Sequence, residues 1–344
     1  MTYKWLFMCC FFVLMEQHAL GQERKEVVAK NGDSIHSILK KNGIEPTPQH
    51  IADFIKLNKN RVSRNRHLYR GRSYILPEYP ELQSQEEAAS EMDSTATKPA
   101  FKTIPLFGPE HERVEMVSYE LEGAVYYLVS GHGGPDPGAI GKSGRTSLPE
   151  DEYAYDVTLR LARRLIAKGA TVYVIIRDPN DGIRSDRILK LDYDEVAYDG
   201  KKIPRDQNAR LQQRVRIVNN IYPKHRGAYQ RLVAIHVDSR SRGENIDVFF
   251  YHSRRSKGGL KLAQNLQDTF KRKYARFQPG RTYYGNVEGR GLYVLNYTSP
   301  ISVFIELGNI RSKTDQRRFL IRDNREALAN WISEGLLLDY QESR

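Results

Sequence analysis

The chain has 344 residues, of which 40% are hydrophobic and 28% are charged, and its formal net charge is +12. This composition excludes an intrinsically disordered chain, and the length allows one large domain and one smaller domain. The Lys and Arg residues are scattered along the whole chain without a basic arm or a nucleic-acid-binding motif. We therefore interpret the charge as a generally basic, solvated surface and expect no nucleic acid as a partner.

Residues 1–21 have the pattern of a secretory signal peptide. Lys4 precedes an apolar run at residues 5–15, and the small residues of Ala19-Leu20-Gly21 follow at the position of a cleavage site. The run is too short to span a bilayer, so we expect export without stable membrane insertion after cleavage. Both cysteines of the chain lie in this run and outside a lipobox, so no disulfide and no lipid anchor is expected. The pattern leaves open whether export ends in a periplasm or outside the cell.

Residues 26–78 form the first predicted domain, with the element order β-α-α-β. Apolar side chains recur at helical spacing in two segments. A short run typical of a strand lies at each end of the block. The predicted elements are an opening strand at 26–29, a helix capped by Asp33 or Ser34, a second helix through 51–57, and a closing turn and strand at 68–77.

Three features make this block similar to a LysM module. They are the start Gly32-Asp33-Ser34-Ile35, Asn58 after an apolar helix, and the ending Gly71-x-x-Tyr74-x-Leu76-Pro77. LysM modules bind glycans that contain N-acetylglucosamine, so the resemblance implies a wall-targeting domain. A structural spacer with the same fold is the alternative.

Residues 79–118 are predicted to be a linker, because the sequence from 79 to about 99 is polar and acidic and lacks apolar periodicity. The second domain is predicted at residues 119–344. Strands and helices alternate in it, which favours an α/β fold with a single mixed or mostly parallel sheet flanked by helices. The predicted strands are 125–129, 171–176, 232–235, 248–251 and 302–305, and the predicted helices are 153–165, 260–270 and 326–338.

Polar side chains stand at the ends of three predicted strands of this domain. His132 follows the first in Ser130-Gly131-His132-Gly133-Gly134, and His236 and Glu306 end two others. Because ligands bind beyond the carboxyl ends of strands in such sheets, we expect these side chains to share one edge. The glycines around His132 allow a sharp turn and leave room beside the imidazole.

A catalytic zinc ion takes three protein ligands and an open fourth position for water. His132 and His236 supply two nitrogen donors, and Glu150 at the start of the following helix is a candidate third ligand. Ser147-Leu148-Pro149-Glu150 also has the spacing of a capping box, in which Glu150 would only cap the helix. Asp151 and Glu152 are neighbouring alternatives, and two His with a Glu would also accept other divalent ions.

The segment Gly131-His132-Gly133-Gly134-x-Asp136-Pro137-Gly138-Ala139-Ile140-Gly141 closely resembles the opening motif of the zinc-dependent N-acetylmuramoyl-L-alanine amidases. The resemblance extends over roughly residues 125–340. It implies that His132, Glu150 and His236 bind one zinc ion and that Glu306, in Ile305-Glu306-Leu307-Gly308, is the catalytic acid and base. The family has Lys-Asp after its Glu where this chain has Asp151-Glu152, which keeps Glu152 as an alternative ligand.

The resemblance implies a hydrolase that cleaves the bond between the lactyl group of N-acetylmuramic acid and L-alanine, with peptidoglycan as its partner. Two alternatives are an inactive peptidoglycan-binding adaptor and a zinc hydrolase of another cell-wall acyl or peptide bond. The long charged segment 180–206 is predicted to cover or shape the cleft, because long loops near a site often act as lids. A protein activator is a further partner that the resemblance allows.

Overall fold

The computed structural model describes residues 25–30, 33–44, 46, 48–62, 68–77, 100–238 and 246–344 of the chain. The predicted signal peptide and residues 79–99 of the predicted linker lie outside these ranges. The chain divides into two units, Met1–Ala96 and Thr97–Arg344. Among the described residues, no helix combines the length and the apolar character that crossing a membrane requires.

The N-terminal unit has the predicted β-α-α-β order: β1 (Glu26–Val28), α1 (Ile35–Lys41), α2 (Pro48–Leu57) and β2 (Ser73–Ile75), with β1 and β2 antiparallel. Helix α1 begins after Ser34, whose hydroxyl accepts a hydrogen bond from the Ser37 amide while the Ser37 hydroxyl accepts one from the Ser34 amide. Each bond satisfies an amide that the helix itself leaves unpaired. A small core includes Ile38, Leu39, Phe54 and Tyr74.

Asn58 joins the end of α2 to β2 in this unit. Its buried side-chain amide donates to the carbonyl oxygens of Phe54 and Ile75, at 2.9 and 2.8 Å, and its oxygen accepts from the Ile75 amide at 2.8 Å. A buried amide is tolerated only when it is hydrogen-bonded in this way. Asn58 therefore has a structural role that does not depend on any ligand.

The larger unit is an α/β domain built from twelve strands and six helices of the described residues. In chain order they are β3 (Phe101–Thr103), β4 (Arg113–Glu115), β5 (Ala124–Ser130), β6 (Ile140–Ser143), β7 (Thr146–Pro149), α3 (Glu150–Ala167), β8 (Thr171–Val174), β9 (Ile176–Arg177), β10 (Val196–Ala197), α4 (Gln207–Ile221), β11 (Tyr229–Asp238), β12 (Phe249–His252), α5 (Lys257–Phe277), β13 (Val287–Gly289), α6 (Tyr293–Tyr297), β14 (Ile301–Asn309), α7 (Lys313–Leu320) and α8 (Arg322–Glu342). Short 3-10 helices cover Pro105–Phe107 and Tyr222–His225.

A six-stranded sheet with the order β13-β12-β14-β11-β5-β8 forms the centre of this domain. The four strands from β14 to β8 are parallel, whereas β12 runs antiparallel to β14 and parallel to β13. The mixed, mostly parallel sheet flanked by helices confirms the predicted fold class.

Both faces of the sheet are covered, which explains why its central strands are apolar throughout. Successive side chains of a strand point to opposite faces. In β5, Tyr126 and Leu128 pack in the core beneath α3, α5 and α8, whereas Tyr127 and Val129 pack in a second core beneath α4 and α6. The second face also carries the candidate site.

Helix α3 is buried more completely than the sequence predicted. The apolar stripe through Tyr153, Val157, Leu161 and Leu165 is fully buried, as expected. The polar side of the helix is also buried, because it packs against α8. There the Asp156 carboxylate accepts from the guanidinium groups of Arg160 and Arg325, at 2.8 and 2.6 Å.

The structure differs from the predicted linker of residues 79–118 at its C-terminal end. Strands β3 and β4 pair as an antiparallel hairpin, and Phe107 and Val114 are buried in the core of the larger unit. The Val117 amide also donates to the carbonyl oxygen of Ala167 at the end of α3, at 2.8 Å. Residues 100–118 therefore belong to the folded domain, because their apolar side chains complete its core.

Candidate metal centre

Three neighbouring parallel strands bring the three polar motifs to one edge of the sheet. His132 follows β5, His236 lies in β11, and Glu306 lies in β14. The strands stand in the order β14-β11-β5, so their carboxyl ends lie side by side. The three motifs thus meet in one cleft, although His132 and His236 are more than a hundred residues apart in the sequence.

His236 and Glu306 lie opposite each other on adjacent strands. They are register partners in the parallel β11–β14 pair, so both side chains project from the same face. The imidazole of His236 stacks on the ring of Phe304, with 4.2 Å between ring centroids and 17° between planes. This stacking fixes the ring of His236 above the sheet.

The turn that carries His132 has a strained backbone. His132 itself has φ +58°, a left-handed conformation that residues other than glycine seldom adopt. Arg214 of α4 holds the turn by donating to the His132 carbonyl oxygen. Gly131 has to be glycine, because a Cβ at this position would overlap the imidazole of His236.

Glu150 is the first residue of α3, and its carboxylate lies between the two imidazoles. Oε1 is 3.1 Å from His236 Nδ1, and Oε2 is 3.3 Å from His132 Nε2. The amides of Val237 and Ala139 donate to the same two oxygens, at 3.0 and 2.9 Å. These bonds hold the carboxylate in place from two sides.

The capping-box alternative for Glu150 is not formed. The N-cap of α3 is Pro149, no side chain caps the helix, and Ser147 lies in strand β7. Glu152, the other candidate ligand, is directed elsewhere: its Oε2 is 2.8 Å from Arg184 Nη1, and its Oε1 accepts from the Asp192 amide at 3.1 Å. Of these carboxylates, the structure brings Glu150 beside the two histidines.

Asp136 and Arg210 complete the surroundings of His132, and neither was predicted from the sequence to have a role there. Asp136 Oδ2 lies 2.9 Å from His132 Nδ1, and Arg210 Nη2 lies 2.5 Å from the same oxygen. The bond leaves Nε2 of His132 facing Glu150. Asp136 was detectable within the glycine-rich motif, but Arg210 lies on α4 with no local pattern to identify it.

The electrostatics of the cleft favour a positive charge between the Glu150 carboxylate and the imidazoles of His132 and His236. Burial lowers the pKa of His132, but hydrogen bonds with Asp136 and Glu150 outweigh it and raise the pKa to about 10. Burial lowers the pKa of His236. Burial alone would raise the pKa of Glu150, yet the hydrogen bonds with His132 and His236 lower it below its usual range.

The donor set fits a divalent metal ion. One ligand atom each of His132, Glu150 and His236 lies within 4.8 Å of the others. Two imidazole nitrogens and one carboxylate oxygen are a donor set of catalytic zinc sites. The site opens into a cleft of about 530 Å³, whose wall includes Glu306, Phe304, Leu292, Tyr293, Arg210 and Leu211.

Segment 180–206 does not cover this cleft, because none of its residues lines it. The segment instead packs behind the glycine-rich turn. Glu195 Oε2 accepts from the Gly134 amide at 2.7 Å, and Ile203 lies so close to Gly134 that an added Cβ would meet the Ile203 Cβ at 2.9 Å. Of the two predicted roles, covering or shaping the cleft, the first is not seen, and the segment supports the turn from the side opposite the cleft.

A known family and several solved structures are similar to the chain. The family described as N-acetylmuramoyl-L-alanine amidase matches residues 127–337, more than half of the chain. None of the curated proteins is significantly similar.

Similar solved structures include the CwlD amidase of Clostridioides difficile in complex with the GerS lipoprotein, at 22% identity and a TM-score of 0.48 over 63% of this chain and 98% of that one. The amidase AmiC2 of Nostoc punctiforme has 22% identity and a TM-score of 0.45 over 64% and 98%. The amidase Ami1 of Mycobacterium smegmatis has 17% identity and a TM-score of 0.47 over 64% and 99%.

Proposed function

Because the chain belongs to the N-acetylmuramoyl-L-alanine amidase family, we propose that it hydrolyses the amide bond between the lactyl group of N-acetylmuramic acid and the L-alanine of the stem peptide in peptidoglycan. One observation carries the proposal: His132, Glu150, His236 and Glu306, from four separate elements, line one cleft. Its volume of about 530 Å³ lies within the usual range of ligand-binding clefts.

In this proposal His132 Nε2, His236 Nδ1 and the Glu150 carboxylate hold a zinc ion. The fit rests on the spacing of these donors and on the carboxylates of Glu150 and Asp136, which favour a cation beside the two imidazoles. A bound zinc ion would polarise the scissile carbonyl and lower the pKa of water at the site towards ~7. Asp136 would keep Nε2 of His132 available by holding Nδ1.

Glu306 is the general base and acid of the proposed reaction. An amide needs a proton removed from the attacking water and a proton delivered to the departing nitrogen. Glu306 lies in the cleft wall, in register with His236, so its carboxylate reaches the same space as the proposed ligands. It would take the proton from water and then deliver it to the nitrogen of the leaving alanine.

Digestion of purified peptidoglycan, followed by mass spectrometry, tests the proposal. We expect stem peptides with a free L-alanine amino group, and no release after treatment with a chelator. Release of other fragments would instead identify a hydrolase of another cell-wall bond. If the zinc-loaded protein binds peptidoglycan without releasing any product, it is an adaptor.

We further propose that the N-terminal unit binds wall glycans as a LysM-like module and that residues 1–21 direct export. The proposal depends on the β-α-α-β order and on the sequence motifs of this unit. Removal of residues 22–96 should reduce co-sedimentation with insoluble peptidoglycan. Hydrolysis of soluble muropeptides serves as the folding control and should remain. Unchanged co-sedimentation would favour a structural spacer.

A further inference from the structure

A second group of carboxylates lies behind the first turn of α3. Glu150 faces the cleft, whereas Asp151 and Glu152 face Glu195 of segment 180–206. One oxygen of each of these three side chains lies within 4.8 Å of the other two. Asp151 and Glu152 are each 1% exposed and Glu195 is 4% exposed, so the group is shielded from bulk water.

Positive charge compensates only part of this group. Arg184 Nη1 lies 2.8 Å from Glu152 Oε2 and also contacts Asp181. Within the described parts of the chain, neither Asp151 nor Glu195 forms an ion pair. Two buried carboxylates therefore face each other without a cation, an arrangement that is costly in a low-dielectric interior.

One buried oxygen of the group also lacks a hydrogen bond. Asp151 Oδ1 accepts from the Glu152 amide at 2.9 Å, but Oδ2 has no partner among the described residues. An unsatisfied buried carboxylate oxygen is a strong acceptor that is left unused. Burial, followed by the charge of Glu152, also raises the pKa of Glu195 to about 7.

We propose that Asp151, Glu152 and Glu195 form a second metal site that takes a hard divalent cation, Ca²⁺, and not zinc. All donors are oxygens, which Ca²⁺ prefers, whereas zinc favours sites with nitrogen or sulfur. Ca²⁺ binds oxygens at about 2.3–2.6 Å, so ligands on opposite sides of one ion stand up to about 5 Å apart. The observed spacing satisfies that limit.

The proposed ion would connect segment 180–206 to the turn that carries His132. Glu195 Oε2 accepts from the Gly134 amide at 2.7 Å, and the Asp192 amide donates to Glu152 at 3.1 Å. A cation shared by Glu195 and the start of α3 would hold these contacts together. The segment is thereby assigned a structural role behind the first metal centre.

Calcium titration of the full chain with its first centre loaded with zinc tests the site. We expect isothermal calorimetry to detect one additional Ca²⁺ per chain and the unfolding temperature to rise with CaCl₂. Glu195→Gln should weaken Ca²⁺ binding at least about tenfold, because it removes one of three charged ligands. Asp199→Asn is the matched control, since this exposed carboxylate of the same segment pairs with Lys201 and should leave binding unchanged.

Two results would contradict the proposed calcium site. The first is no calcium binding by the zinc-loaded wild-type chain at millimolar CaCl₂, which decides the matter even if a variant fails to fold. The second is binding that Glu195→Gln does not weaken. A His236→Ala variant should still bind Ca²⁺, so failure of the amidase proposal and failure of this site are distinguishable.

Discussion

Consecutive residues at the start of α3 belong to two groups of candidate metal ligands whose electrostatic surroundings are opposite. Glu150 lies between two imidazoles, which lower its pKa, whereas Asp151 lies against Glu195 and Glu152, and burial with those charges raises its pKa to about 8. Successive residues of a helix point about 100° apart, so neighbours in sequence reach different sides of the fold. The type of donor on each side would then determine which ion each proposed site favours: zinc where nitrogen and oxygen donors meet, and calcium where all donors are oxygens.

We expect the largest effect from His236→Ala, which should abolish zinc binding by the first group and leave calcium binding by the second unchanged. Loss of this imidazole removes one of three proposed zinc ligands, so hydrolysis of peptidoglycan should fall to background and zinc should be absent by elemental analysis. Calcium binding should persist, because His236 lies on the other side of α3. Retention of stoichiometric zinc would show that His236 is not a ligand.

Glu306→Gln is the matched variant on the neighbouring strand. Hydrolysis should fall by ~100-fold or more, because the proposed general base is lost, while zinc should remain bound. Product release by mass spectrometry and zinc content of the same sample check both statements. Loss of zinc along with activity would mean that Glu306 is a ligand and not the base.

Asp136→Asn should have a smaller effect on the same centre. Removal of the charge beside His132 Nδ1 should weaken zinc binding ~10- to 100-fold, the usual effect of losing a carboxylate behind a histidine ligand. Competition with a chelator of known affinity measures the change, with Asp199→Asn as a surface control. Equal zinc affinities of Asp136→Asn and wild type would show that Asp136 does not contribute to zinc binding.

The smallest expected effect is a dependence of folding stability on pH. His132 and Glu195 should each contribute to it over a different pH range. In the metal-free chain the pKa of His132 is raised from 6.5 to about 10, so its stabilising contribution is complete below pH 6.5 and is lost as pH rises towards 10. The pKa of Glu195 is raised from 4.5 to about 7, so its contribution is lost between about pH 4.5 and 7.

Urea unfolding of the metal-free chain at pH 5, 7 and 10 measures both windows. Glu195→Gln should reduce the change between pH 5 and 7, where Asp151 also titrates, and should leave most of the change between pH 7 and 10. His132→Gln should do the reverse. If stability does not decrease in the upper window for the wild type, the ion pair of His132 with its carboxylates does not form in solution.

The sequence by itself determined the elements whose signals are local. Apolar runs predicted β5 and β11, four-residue spacing predicted α3, and the N-terminal β-α-α-β order was visible in capping residues and periodicity. The glycine-rich motif also indicated His132 and the chemistry around it. These features depend on residues a few positions apart, which is the range over which backbone geometry imposes a period.

Only the tertiary structure decided which charged side chains meet. It brought Arg210 to Asp136, placed Glu150 between two histidines without a capping box, turned Glu152 towards Arg184, and packed segment 180–206 behind the cleft. It also extended the folded domain back to residue 100. A charged residue has many possible partners along a chain, and its actual partner depends on how the sheet and helices pack, which no local pattern encodes.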